Sequence, residues 1–185
     1  MDFTETLPKP DPNSVNIGLK SPPVAFITSL LGNPRDDYTG TCQPVTNAKL
    51  KAKMVTQSVG PFKVTGHVAA VESLRETFAQ VKQEVPDLHA LLGTAGMLCA
   101  RKVKRKDGTL GKNPSNHSWG MAIDIKIKGE LDAHGDDKTQ RGLLILARYM
   151  NAAGWYWGVA FPTEDSMHFE ASTTLLQKWR DAGKL

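Results

Sequence analysis

Ser115-Asn116-His117-Ser118-Trp119-Gly120-Met121-Ala122-Ile123-Asp124-Ile125-Lys126-Ile127 runs from a polar loop into a stretch where apolar and other residues alternate. Met121, Ile123, Ile125 and Ile127 fall on one face, and Ala122, Asp124, Lys126 and Lys128 on the other. A period of two marks a half-buried β-strand. Asp124 lies inside this apolar run, where an unpaired carboxylate would cost roughly 3 kcal/mol or more, so a positive partner must meet it. A metal ion is the strongest such partner, and an arginine is the ordinary alternative. His117 precedes the strand in a Ser/Asn-rich loop, and Gly120 gives the backbone freedom to turn it onto the strand's end.

Downstream, Asp165-Ser166-Met167-His168-Phe169-Glu170 predicts a second short strand over residues 166–170, with Ser166 and Glu170 on the face of His168. His117, Asp124 and His168 are then two imidazoles and a carboxylate, a ligand set that leaves a position on zinc for water. Asp165, with Glu164 beside it, is the candidate acid/base that such hydrolysis requires. His67, His89 and His134 have no such neighbours and are expected to be structural or exposed.

Helical periods flank these strands. Val71, Leu74, Phe78, Val81 and Val85 recur at spacings of three and four, and Pro86 ends or kinks that helix. Residues 139–153 form a second amphipathic helix with Leu143, Leu146 and Met150 inward, stopped by Gly154, and Ser172 caps a last helix through about Ala182. A strand is expected over residues 94–103, followed by a loop over 104–114, and a polar acidic loop over 129–138. The mixture implies an α+β fold, a small antiparallel sheet flanked by helices. Pro8, Pro10, Pro12, Pro22, Pro23 and Pro34 make residues 1–40 an extended N-terminal arm, with a short helix near 26–31, ahead of a body over 41–185.

The net charge of +4 and pI near 9.1 favour an anionic partner. Arg101-Lys102-Val103-Lys104-Arg105-Lys106, followed by the turn signal Asp107-Gly108, reads as a solvated hairpin or as a partner-binding patch. No aromatics interleave with it, which disfavours single-stranded nucleic acid. No stretch is long and apolar enough to span a membrane, and the start lacks a secretory signal, so synthesis in the cytoplasm is expected. Cys42 and Cys99 are expected as two buried thiols, with a disulfide as the alternative if the protein works outside the cytoplasm. The Trp155-Tyr156-Trp157 cluster either lines a substrate groove, with Trp157 in contact, or packs in the core.

The pattern S-x-H-x-x-G-x-A-x-D, followed by an acidic residue three before a histidine in an H-F-E context, resembles the zinc D-alanyl-D-alanine peptidases. That family includes VanY-like carboxypeptidases, vancomycin-resistance dipeptidases and phage L-alanyl-D-glutamate endolysins, in a superfamily shared with lysostaphin and hedgehog. The resemblance covers roughly residues 60 to 175. It implies a hedgehog-like or D,D-peptidase-like fold, Zn2+ held by His117, Asp124 and His168, and Asp165 as acid/base. It also implies that Arg101 holds a substrate carbonyl or carboxylate, with Arg105 and Arg75 as weaker candidates, and that Ser115 braces the site. The form Asp165-x-x-His168 is nearer the endolysins than the E-x-W-H of the carboxypeptidases. The implied substrate is the peptidoglycan stem peptide, cut by a monomer that neither binds nucleic acid nor inserts in a membrane, and that reaches the wall after release or secretion. A metal-organised cell-wall-binding module without catalysis is the alternative. A non-haem iron oxygenase fits less well, because its first histidine and carboxylate usually stand only two apart.

Overall fold

The computed structural model describes residues 1–185 apart from Lys106. In chain order the elements are β1 (Thr6–Pro8), α1 (Val24–Leu31), α2 (Ala48–Lys51), β2 (Met54–Ser58), β3 (Lys63–His67), α3 (Val68–Glu84), α4 (Pro86–His89) and β4 (Leu92–Gly96). There follow β5 (Lys102–Lys104), β6 (Leu110–Pro114), β7 (Ala122–Ile127), β8 (Lys138–Gln140), α5 (Arg141–Ala152), β9 (Trp155–Trp157), β10 (His168–Ala171) and α6 (Thr173–Asp181). The fold is α+β. Its centre is a four-stranded antiparallel sheet in the order β4-β7-β10-β9, with two-stranded pairs β1-β8, β2-β3 and β5-β6 around it. Among the described residues, no helix is long and apolar enough to cross a membrane.

The alternation in β7 does what its period requires. Ile123, Ile125 and Ile127 are fully buried in one core cluster with Val71, Leu74, Phe78 and Val81 of α3 and Leu143, Leu146 and Met150 of α5. Asp124 therefore looks out of the opposite face of the sheet. Helix α3 starts at His67, whose side chain accepts the Ala69 N–H, and it stops before Pro86, which opens α4. Ser172 caps α6 by accepting the Leu175 N–H at 3.2 Å.

Residues 1–40 lie across this body. Phe3 and Ile27 join the core, β1 pairs with β8, and the Asn16 side chain bonds both the N–H and the C=O of Trp157.

Several expectations are corrected. The strand over residues 94–103 is two strands, because β4 ends at Gly96, whose φ of +132° suits glycine. Residues 97–101 then leave the sheet. Ala100 O accepts the Gln43 N–H, and Cys99 donates its N–H to His117 O, so partners on both sides replace the sheet ladder. Residues 104–114, expected as a loop, are largely the β5-β6 hairpin, as the solvated-hairpin reading of the basic run had it, and Lys106 lies outside the described residues. Residues 138–140 are a strand and not the helix start, since β1 supplies a pairing edge that local periodicity cannot reveal. The cysteines are not free thiols: Cys42 and Cys99 form a disulfide.

Candidate metal centre and groove

Sheet register brings the first two site residues together. His168 of β10 is the direct cross-strand partner of Asp124 of β7, which places their side chains on one face at about 4.5–5.5 Å between Cβ atoms. His117 arrives from a short 3-10 turn, residues 116–119, that ends on Gly120 in the left-handed conformation at φ +62°. Gly120 permits no side chain there, because a Cβ would stand 2.8 Å from His67 N and 2.9 Å from Gly66 Cα.

The three side chains meet. His117 Nε2 stands 3.2 Å from Asp124 Oδ1 and 3.2 Å from His168 Nδ1, and His168 Nδ1 stands 3.1 Å from Asp124 Oδ1. Among the described residues they are the one group of this kind able to hold a metal ion.

The tautomers follow from the remaining ring nitrogens. His117 Nδ1 lies 3.0 Å from Met97 O, and His168 Nε2 lies 3.0 Å from Glu170 Oε2. A carbonyl and a carboxylate only accept, so each imidazole spends its proton there. His117 Nε2 and His168 Nδ1 are left as lone pairs facing a carboxylate oxygen. Three acceptors at 3.1–3.2 Å repel unless a cation or an added proton lies among them. A tetrahedral ion with bonds of about 2.0–2.1 Å has edges of about 3.3–3.4 Å between ligand atoms, so the spacing fits a metal ion.

The charges respond accordingly. Burial opposes ionisation of Asp124, but the two imidazoles outweigh it and hold the carboxyl well below the usual range. Burial likewise opposes a charged His168, and the carboxylates of Asp124 and Glu170 overcome it, so the metal-free ring retains a second proton that an arriving ion must displace.

A groove of about 850 Å3 opens over the cluster. Its lining includes Arg101, Lys104 and Arg105 at the hairpin, together with His134, Phe161 and Asp165. Asp165 is half-buried, and its backbone is fixed by N–H donation to Gly158 O at 3.0 Å and acceptance from the His168 N–H at 3.1 Å. Burial pushes its carboxyl above the usual range; the imidazoles of His168, His134 and His117 pull against this, and the charge of Asp124 adds to it.

The other sequence candidates separate. Arg101 and Ser115 line the groove, and the Ser115 N–H donates to Arg101 O at 2.9 Å, so Ser115 braces this wall through its backbone. Arg105 also lines it, whereas Arg75 lies on α3 and bonds Ser58 O and Gln57. Glu164 is buried and turned inward, accepting from the Ser166 N–H and hydroxyl and from the Gly135 N–H. Ser166 precedes the strand and does not share the His168 face. Trp157 is a correction: it is fully buried, donates its indole N–H to Ser166 O, and stacks on Phe169 at 5.9 Å, so it belongs to the core and not to the groove.

Two contributors to the site were not read as such in the sequence. His134, expected to be structural or exposed, is exposed and lines the groove from the acidic loop, where nothing local marks that position. Met97 O orients His117, and a backbone carbonyl leaves no trace in residue identity.

Residues 109–171 match the family model for D-alanyl-D-alanine carboxypeptidase. The matched span holds His117, Asp124, Asp165 and His168, is shorter than the range over which the motifs were read, and begins after Arg101. Neither curated proteins nor solved structures yield a match to the chain.

Proposed function

We propose, from the support this match gives to the zinc D-alanyl-D-alanine peptidase family, that the protein is a zinc-dependent peptidoglycan peptidase hydrolysing an amide bond of the stem peptide. The observation that carries the reading is the convergence of three metal-competent acceptors, their tautomers already set, at the floor of a groove that also holds Asp165.

His117, Asp124 and His168 would hold the ion. A divalent zinc bound there supplies Lewis-acid polarisation of the scissile carbonyl and a more acidic water. The chain's own groups do the rest. Asp165 takes the proton of the attacking water and returns it to the leaving amine, a role suited to a carboxyl that burial makes more basic. Arg101, half-buried in the groove lining, holds a carbonyl or carboxylate of the substrate, and Lys104 and Arg105 add positive charge to the same groove. Ser115 keeps Arg101 in place through the backbone bond. The Cys42–Cys99 disulfide supports action outside the reducing cytoplasm, after release or secretion.

The presence of Asp165 in the groove favours chemistry over a metal-organised binding module. Digestion of purified muropeptides, followed by mass spectrometry, tests both. Wild type should release a terminal alanine if it is a carboxypeptidase, or separate stem-peptide fragments if it is an endopeptidase. Chelator should abolish release, and Asp165→Ala should abolish it while zinc stays bound. A zinc-loaded wild type that binds peptidoglycan and releases nothing would establish the binding module instead.

A further inference from the structure

We propose that Glu170 is the positioning residue of the metal centre, fixing His168 in the tautomer that turns Nδ1 to the ion and tying that ligand to the turn carrying His117. This rests on the metal reading of His117, Asp124 and His168 and adds a residue to it.

Glu170 is 3% exposed, and burying a carboxylate needs a reason. Its cross-strand partners are Ala122 and Tyr156, neither of which brings a positive charge. Its Oε2 meets two donors, His168 Nε2 at 3.0 Å and Asn116 Nδ2 at 2.7 Å, and the Ser21 side chain also bonds the carboxylate. The first of these belongs to a ligand. The second belongs to the neighbour of another ligand, His117, in a different element. A single carboxylate therefore joins β10 to the 3-10 turn, which sheet register alone does not connect.

A carboxylate is also the group that leaves the tautomer no choice. A glutamine in the same place can present either its oxygen or its NH2 to His168. Facing the NH2, the ring would move its proton to Nδ1, and the nitrogen aimed at Asp124 and His117 would lose the lone pair that binds metal. Glutamate removes that alternative and raises the basicity of the ligating nitrogen, as a carboxylate behind a metal-bound imidazole does.

Zinc affinity of the full chain, measured by competition with a chromophoric chelator, tests this in wild type, Glu170→Gln and Glu170→Ala. Long-range 1H–15N correlation spectra of the metal-free proteins, taken at a pH high enough that His168 carries one proton, report which ring nitrogen holds it, and urea melts in chelator report the metal-free fold. Glu170→Ala should weaken zinc binding about 10–100-fold, and Glu170→Gln should weaken it while lowering the population of the Nε2–H form. Asn116→Ala, which spares the carboxylate–imidazole contact, should lose less affinity than either. Should Glu170→Ala fail to fold, Glu170→Gln carries the test. Wild-type affinity and an unchanged His168 tautomer in the Glu170 variant that folds would overturn the proposal alone. Failure of wild type to bind zinc would overturn it together with the metal reading.

Discussion

Replacing Cys42 and Cys99 by serine opens a covalent loop of 57 residues' sequence separation. The chain entropy released into the unfolded ensemble by a loop of that length is about 14 cal/mol/K, or about 4 kcal/mol at 25 °C. Unfolding 185 residues carries an entropy of about 0.4 kcal/mol/K, so the melting temperature should fall by about 10 °C. Most of this acts on the unfolded chain, which becomes more expanded without the cross-link, so the dependence of unfolding free energy on urea should steepen. Urea melts in chelator would compare the oxidised protein, the same protein under dithiothreitol, and the double serine variant. Cys42 is exposed, so the reductant reaches the bond, and the last two curves should coincide. Equal midpoints and slopes for all three would refute the reasoning. A loss with no change of slope would instead place the effect in the native contacts of residues 39–43 with 100–102, where Gln43 bonds Ala100 and Lys102 bonds Thr39.

His67→Asn tests a buried cap. Burial, helped by the charge of Lys53, pushes the His67 ring down to about 4, while the unfolded ring titrates near its ordinary value of about 6.5. The unfolded chain therefore binds the extra proton first. Stability from this residue is complete above about pH 6.5 and falls by up to about 3 kcal/mol as the pH drops towards 4. Asparagine keeps a capping oxygen and removes the titration, so the stability gap between variant and wild type should move in the variant's favour on acidification; parallel pH profiles in chelator would contradict this. Gly120→Ala should cost more than about 2 kcal/mol, because the left-handed backbone is strained for alanine and the new Cβ would meet the backbone of Gly66 and His67 below 3.0 Å. It should also weaken zinc binding, since the Gly120 N–H donates to His117 O; wild-type values for both would show that the turn yields more readily than the packing implies.

What was legible in the sequence had local causes. The stripe of α3, the alternation of β7, the Ser172 cap and the stop at Gly154 each follow from neighbours a few residues apart. The convergence of His117, Asp124 and His168 followed from residue chemistry and motif spacing. What was not legible depended on partners distant in the chain. The β8 strand exists because residues 6–8 pair with it, the 94–103 segment breaks because Gln43 and the His117 turn claim it, and Cys42 finds Cys99 across the fold. Trp157 shows the same limit: an aromatic triplet fits a groove or a core equally well by composition, and the stack on Phe169 is a tertiary fact.

That stack also bears on the metal centre. Because side chains alternate along β10, a slip of one residue against β7 would bring Phe169 opposite Asp124 and drive His168 into the core. Phe169, fully buried and stacked on Trp157, opposes the slip with the full cost of exposing an aromatic ring, while Glu170, driven with His168 among the isoleucines, opposes it by the cost of burying a carboxylate there. The apolar and the charged faces of β10 thus enforce one register from opposite sides. The site depends on that register because it sets His168 directly opposite Asp124, where their side chains meet at 3.1 Å, beside the backbone bond from the Ile125 N–H to Met167 O. His117 is held independently, by Met97 O and the Gly120 turn, so the cluster is assembled from two rigid units, with Glu170 and Asn116 as the polar contact that spans them.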